Sequence, residues 1–365
     1  MMRVVLVDDE APARARLRAL LLELGGVCVV AEADNADAAR EAVTAHRPDV
    51  VFLDIEMPAE RGTSLAASLP EPRPFIVFAT AYERFAVDAF QYDAADYLLK
   101  PVNRPRLQAT LDRLQQKLDV RRAATRELDD AMRAQAHLLP RALPDVQGYA
   151  LGARTLAARA VGGDFYDSAC VDGRLVFVLG DVSGKGMAAG LVASSVQARW
   201  QAALRQRDLS LAAMMAALNR DVMASTEGSR YATLVHGVLE PDSGEIHFVN
   251  AGHPPSMVVA ADGRWTLALA STAPAVGMMD GAEFPAASHR LRPGDTLVVV
   301  SDGVCEARDG EGRELDLSRV AALAVRHQPS PPAALADAVV QAVRQHRGAD
   351  QGQDDVTVFI VRRTA

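Results

Sequence analysis

Residues 161–186 read VGGDFYDSACVDGRLVFVLGDVSGKG. Two apolar-rich runs, 164–171 and 174–181, flank Asp172-Gly173. That dipeptide suits a two-residue type I′ turn, because both central positions need positive φ. A two-residue turn sets the register of the strands it joins, so pairing Val171 with Arg174 carries up the hairpin until Asp164 faces Asp181. Opposed carboxylates destabilise a strand pair unless a cation sits between them, and the hard, oxygen-preferring choice is Mg²⁺ or Mn²⁺. The alternative is a pair of exposed aspartates flanking the turn with no contact.

The remainder of the chain supplies context for that pair. Its 365 residues suffice for two or three domains with proper cores, and 49% hydrophobic with 24% charged residues is the balance of a globular protein. A net charge of −8, from 39 basic and 47 acidic residues, disfavours direct nucleic-acid binding as the main activity. Cys28, Cys170 and Cys305 are scattered without CxxC spacing, which suits a reducing compartment. No signal-peptide pattern opens the chain, and no run reaches the roughly 18 apolar residues of a membrane helix, so a cytoplasmic protein with no membrane partner is expected.

Over residues 1–104, short β-branched runs (4–7, 27–31, 50–53, 75–79 and 95–99) alternate with amphipathic stretches (11–24, 36–46, 63–68, 83–91 and beyond 105). This alternation predicts an α/β doubly wound parallel sheet. The strands end in Asp8, Asp9 and Glu10, in Asp54, in Thr80 and in Lys100-Pro101. Ligands in such folds bind beyond the carboxyl ends of the strands, so these polar groups should converge. Converging carboxylates hold Mg²⁺, a hydroxyl and an ammonium bind phosphoryl oxygens, and Asp54 is placed as a nucleophile. Taken singly, each has a plainer reading as a helix cap, a turn residue or a solvated charge.

The segments VVLVDDE, DVVFLDIEMPAERG, FATAY and DYLLKP resemble a two-component receiver domain over residues 1–115. The resemblance implies a flavodoxin-like strand order 2-1-3-4-5 and phosphorylation of Asp54 by a histidine kinase. It further implies Mg²⁺ held by Asp8, Asp9, Asp54 and the backbone carbonyl of Glu56. Thr80, Tyr97 and Lys100 would be the switch residues, and Lys100-Pro101 a cis peptide. Details of the segment are similar to receivers fused to LytTR DNA-binding domains, but the downstream sequence contains no such module.

Residues 104–140 predict one long helical connector, with no Gly and no Pro between Arg106 and Leu139. Leu107, Leu111, Leu114, Leu118, Leu128, Met132 and Leu139 follow heptad-like steps, interrupted at the same seam by Arg121, Thr125 and Gln135. The stripe fits a coiled coil joining a homodimer, or equally packing onto the connector's own receiver or the following domain.

Beyond residue 143, strand patterns at 149–155, 231–239, 245–250, 256–260, 296–301 and 356–361 join the hairpin, with a second hairpin turn at 240–245. Helical patterns lie at 190–206, 210–226, 316–326 and 332–345. The mixture predicts an α+β sandwich of two antiparallel sheets flanked by helices. Asp302 follows a strongly apolar run and Asp354-Asp355 precede another, and a carboxylate at the lip of a buried strand is costly unless paired or metal-bound. Asp164, Asp181, Asp302 and Asp354 could therefore supply a two-metal cage for metal-assisted hydrolysis of a phosphate ester. No Ser/His/Asp or Cys/His nucleophile motif competes with it. Asn250 and His253, in NAGHPP, read as a strand-end turn rather than a ligand set, and Trp200 and Trp265 as packing residues.

VGGDFYD, LGDVSGKG, YATL, VNAGHPP, VSDGV and QDDVTV resemble, in order, the SpoIIE-type branch of the type 2C metal-dependent serine/threonine phosphatases, within a domain over 143–365. The resemblance implies two Mn²⁺ or Mg²⁺ ions, with Asp181 bridging, the Val182 carbonyl contributing, Asp164 at the first site, and Asp302 and Asp354 at the second. Asp354 is chosen over Asp355 by family register. Arg154, Arg159 and Lys185 are candidates for holding the substrate phosphate. The implied protein is a response regulator with phosphatase output, acting on a phosphorylated anti-sigma-factor antagonist in partner switching. The rival reading is a non-catalytic adaptor that binds a sigma or anti-sigma partner through a phosphatase-like domain.

Overall fold

The computed structural model describes residues 1–81, 94–140, 142–158, 161–205, 210–348 and 354–364. They form two compact units, Met1–Arg126 and Glu127–Ala365. The predicted helix at 83–91 lies outside the described residues, as does Arg159.

In the first unit, β1 (Met2–Val7), β2 (Val27–Ala33), β3 (Val50–Leu53), β4 (Phe75–Thr80) and β5 (Asp96–Leu99) make a parallel sheet in the order β2-β1-β3-β4-β5. This is the flavodoxin-like order. The central strands are buried on both faces, which is why they read as continuous apolar runs rather than alternating ones. Asn35 caps the helix Ala36–His46 by accepting from Ala38 N at 2.9 Å. Lys100–Pro101 is cis, and so is Glu71–Pro72, which the sequence reading did not foresee.

The connector is a single helix, Arg104–Ala136, of 33 residues. Leu107, Leu111, Leu114 and Leu118 lie in the same core cluster as Leu6, Phe52 and Val77. This part of the heptad-like stripe therefore packs onto the receiver sheet, one of the two alternatives left open by the sequence. Farther along, Leu128 and Met132 are exposed. Two of the polar interruptions have local partners. The Arg121 guanidinium stacks 4.5 Å from the Phe75 ring centroid and donates to the Arg73 carbonyl, while Thr125 Oγ1 donates to Arg121 O.

Asp96, at the start of β5, is bound to the same helix. Its carboxylate accepts from Thr110 Oγ1 at 2.6 Å, from Arg106 Nη2 at 2.7 Å and from Arg113, while Arg106 also donates to Tyr97 O at 2.8 Å. Burial works to raise this carboxyl, but the donors from Thr110, Arg113, the Tyr97 amide and Arg106 outweigh it and hold the group at about 2.

The second unit is two antiparallel five-stranded sheets, β13-β10-β9-β8-β7 and β12-β11-β14-β15-β6. Their strands in chain order are β6 (Tyr149–Leu156), β7 (Phe165–Val171), β8 (Arg174–Val182), β9 (Ala232–Glu240), β10 (Glu245–Ala251), β11 (Ser256–Val259), β12 (Trp265–Ala268), β13 (Ala287–Arg290), β14 (Thr296–Val300) and β15 (Val356–Arg363). The sheets meet through a shared core in which Phe177 of β8 stacks on Phe359 of β15 at 5.6 Å between centroids. Helices Met187–Arg205 and Leu211–Thr226 cover the first sheet, and Leu317–Arg326 and Pro332–Arg347 cover the second.

The β7–β8 register agrees with the sequence reading: Val171 pairs with Arg174 and Phe165 with Gly180. Asp172 (φ 49°) and Gly173 (φ 79°) both take the left-handed conformation that the turn needs. Glu240 pairs with Glu245 across the second predicted turn. Strands β12 and β13 were not anticipated, because they are mostly exposed edge strands and carry no apolar run.

Replacing Asp96 by Ala is expected to destabilise the first unit by about 2 kcal/mol at neutral pH, since it strands donors on three helix residues. The depressed carboxyl contributes stability above its unfolded value of 3.8, and this is lost as pH falls toward 2. Urea denaturation of wild type and Asp96→Ala at pH 7 and pH 3 measures the convergence.

Candidate active site

The ladder that closes β7 on β8 continues past its last strand pair, with Val182 N donating to Gly163 O at 3.3 Å. Asp164 and Asp181 therefore sit directly opposite, between the Gly163/Val182 and Phe165/Gly180 pairs. Asp164 is buried, and among the described residues neither of its carboxylate oxygens has a hydrogen-bond partner. Desolvation pushes its carboxyl up to about 8, reinforced by the charges of Asp355 and Asp302. Asp181 is pushed up to about 9, first by burial and then by Asp164, Asp302, Asp354 and Asp355. Asp302 is raised by burial and by Asp354 and Glu306, with Lys185 opposing.

Loops from both sheets bring these groups together. Asp302 opens the short helix Asp302–Cys305 at the end of β14, and Asp354 precedes β15. Arg347, 4% exposed, donates to Gly303 O at 2.7 Å and to Asp354 O at 2.8 Å, so one buried guanidinium ties the two loops. Lys185 Nζ lies 3.1 Å from Asp354 Oδ2.

Asp355 has a different role from its neighbour. Its carboxylate accepts from the backbone amides of Ala158 and Gly163, both at 2.7 Å, and from that of Asp164 at 3.4 Å. A side chain at residue 162 would start 2.5 Å from Asp355 Oδ2, and one at 163 would start 2.8 Å from Asp181 Oδ1. The Gly-Gly pair is what lets the backbone approach both carboxylates.

Other candidates fall elsewhere. Arg154 pairs with Asp337. The buried Asn250 side chain accepts from His253 N at 2.8 Å and donates to His253 O at 3.0 Å, clasping the turn, while His253 Nε2 lies 3.0 Å from Val300 O. Trp200 is buried in the core under the helices and Trp265 is 39% exposed.

At the carboxyl ends of the first unit's strands, Asp8, Asp9 and Asp54 each offer an oxygen within 4.8 Å of the others. Lys100 Nζ bridges Asp8 Oδ2 at 2.8 Å and Asp54 Oδ2 at 2.6 Å. The Glu56 amide donates to Asp54 Oδ1 at 3.2 Å. Burial raises the Asp54 carboxyl despite Lys100. Thr80 Oγ1 is buried without a partner, and Tyr97 packs in part against the core beside Val7 and Phe78. Among the described residues, no three carboxylates of the second unit approach as closely as this trio. Lys185 pairs with Asp354, and backbone amides take Asp355.

A family profile described as stage II sporulation protein E (SpoIIE) matches residues 171–364. The chain belongs to the SpoIIE family. A response regulator receiver profile matches residues 4–112, so this SpoIIE-family chain joins a receiver domain to a domain of the type 2C phosphatase fold. Among solved structures, the RsbU and RsbW domains of Rv1364c from Mycobacterium tuberculosis are 29% identical, with a TM-score of 0.54 over 62% of this chain and 63% of that one. The PP2C domain of SiaA from Pseudomonas aeruginosa is similar in fold, at 19% identity and TM-score 0.57 over 67% of this chain and 98% of its own. A structure of the Bacillus subtilis SpoIIE phosphatase domain gives TM-score 0.52 at 21% identity, over 60% of this chain and 64% of that one. Receiver relatives include a response regulatory protein of Yersinia pestis, 52% identical over 33% of this chain and 51% of its own length. The transcriptional regulatory protein BtsR of Escherichia coli is 48% identical over 32% of this chain and 49% of its own. The SpoIIE-family chain thus spans about half the length of the curated relatives it matches.

Sequence reasoning missed Arg347 and the clamp made by Asp355. For Arg347 a signal existed: it continues the buried stripe of Val339 and Val343 along its helix, where a lone Arg has to have a buried partner.

Replacing Asp181 by Asn removes one like charge while keeping the shape of the side chain. In EDTA at pH 8 it is expected to stabilise the chain by roughly 1–3 kcal/mol. The raised carboxyl costs stability progressively as pH climbs from its unfolded value of 3.8 toward about 9, so the gain should vanish at pH 4. Thermal unfolding of both proteins at the two pH values is the check.

Proposed function

We propose that the chain is a response regulator whose output is a metal-dependent serine/threonine protein phosphatase. In this reading the receiver spans residues 1–115, the helical connector 104–140 and the phosphatase domain 143–365. The observation that carries it is the buried Asp164 carboxylate, which has no hydrogen-bond partner and faces Asp181 among further acidic groups. Desolvated carboxylates clustered in this way are what divalent cations bind. Asp164, Asp181, Asp302, Asp354 and the Val182 carbonyl are the groups proposed to hold two Mn²⁺ or Mg²⁺ ions. Asp354 is preferred because the oxygens of Asp355 are committed to backbone amides.

Bound there, such a pair of ions supplies charge stabilisation for a phosphoryl group and a more acidic water. The chain's own part is to orient the ligands. Gly162 and Gly163 give the backbone its close approach, Asp355 fixes the loop before Asp164, and Arg347 fixes those bearing Asp302 and Asp354. Arg154, committed to Asp337, is set aside as a phosphate ligand. Lys185 already lies beside Asp354, and it becomes the described cation best placed to meet an incoming phosphate.

In the receiver, Asp54 is the proposed phosphoacceptor for a histidine kinase, with Mg²⁺ held by Asp8, Asp9, Asp54 and the Glu56 carbonyl. Lys100 stands within reach of a phosphoryl oxygen on Asp54, and the unpartnered Thr80 hydroxyl is free to receive one. Tyr97 is the third switch residue. The proposed substrate is a phosphorylated anti-sigma-factor antagonist, dephosphorylated in partner switching in the cytoplasm. Exposed Leu128 and Met132 support a homodimer through the connector.

Two experiments bear on this reading. Hydrolysis of p-nitrophenyl phosphate should require Mn²⁺ and fall at least about a hundredfold in Asp181→Ala; equal, metal-independent turnover in both proteins defeats the enzyme reading. Acetyl phosphate should modify the wild type but not Asp54→Asn, read by phosphate-affinity electrophoresis, and should change the hydrolysis rate only in the wild type. An unchanged rate with Asp54 modified removes receiver control.

A further inference from the structure

Gln135, an interruption in the connector's apolar seam, makes a two-point contact with the loop that carries Asp164. Its Nε2 donates to Gly162 O at 2.7 Å, and its Oε1 accepts from Gly162 N at 3.1 Å. A primary amide paired with both backbone groups of one residue imitates the exchange of bonds between neighbouring strands, at a place where no strand runs. The next residue, Gly163, donates to Asp355 and accepts from Val182. The segment before Asp164 is thus held by β8, by the residue preceding β15, and by the connector helix.

The surroundings are shaped to admit this contact. Gly190, on the helix Met187–Arg205, faces the pair: a side chain there would begin 2.1 Å from Val161 Cγ1 and 3.2 Å from both Gln135 Nε2 and Gly162 O. A cavity of about 150 Å³ beside it is lined by Met132, Gln135 and Ala136 of the connector together with Asp164, Phe165 and Asp355. The last turns of the connector therefore border the least solvated carboxylate of the proposed metal site.

The geometry points to Gln135 as a positioning residue: by clamping Gly162 it sets the loop from which Asp164 reaches the metal site, so that movement of the connector changes metal affinity. The inference rests on the two-metal reading of that site. Arg121, the first of the other breaks, donates to Arg73 O, and Thr125 donates to Arg121 O; among the described residues neither bonds to the loop before Asp164.

The test uses the full chain in an Asp9→Asn background, so that the receiver trio does not contribute to metal uptake. Hydrogen exchange in EDTA and Mn²⁺ titration calorimetry are run on this parent, on Gln135→Met, which keeps the bulk and loses both bonds, and on Gln135→Glu, which keeps an acceptor for the Gly162 amide. Gln135→Met is expected to raise exchange over residues 161–165 and to weaken Mn²⁺ binding about tenfold, the scale of lost support to a metal ligand. Gln135→Glu is expected to retain protection of the Gly162 amide. Faster exchange confined to residues 127–140, with unchanged Mn²⁺ affinity, would make Gln135 a helix anchor only and overturn the proposal. Should the parent take up no Mn²⁺, the two-metal reading fails by itself; exchange over 161–165 then decides the clamp, and an unchanged rate there removes it.

Discussion

Like charge gathered at one edge of a sandwich is the constraint around which the second unit is arranged. A two-residue turn makes Asp164 and Asp181 face each other, and the loops after β14 and before β15 add Asp302 and Asp354. Left to themselves, partly desolvated carboxylates would separate or take up protons. The chain resists the first outcome with parts that carry no chemistry: two glycines without side chains to obstruct the approach, an aspartate spent on backbone amides, and a buried arginine between two loops. Together they hold the loops that carry the carboxylates.

The receiver solves the same problem with a cation of its own. Lys100 lies between Asp8 and Asp54, and its ammonium compensates the trio that includes Asp9. In the second unit Lys185 pairs with Asp354, and among the described residues both oxygens of Asp164 stay without a hydrogen-bond partner. Burial first, and then the neighbouring carboxylates, displace the carboxyls of Asp164 and Asp181 upward.

How much was legible depended on how local the cause was. The parallel sheet, its strand ends and the I′ hairpin were readable because β-branched runs and Asp172-Gly173 act over a few residues. The edge strands β12 and β13 were not, since exposed strands need no apolar pattern. The connector's stripe was visible, but a run of leucines does not say what covers it; the fold placed Leu107 to Leu118 against the receiver sheet. Asp354 and Asp355 were indistinguishable in the string. They separated only when amides from residues nearly two hundred positions away were seen to claim Asp355.

Periodicity, turn chemistry and motif order are properties of neighbours along the chain, and they carried the two fold classes, the family and the facing of Asp164 and Asp181. The fold was needed to see that Asp355 clamps backbone amides, that Arg347 ties two loops and that Gln135 meets Gly162. Those roles depend on the direction of single hydrogen bonds between distant residues, and burial makes such bonds consequential while leaving no local pattern to read.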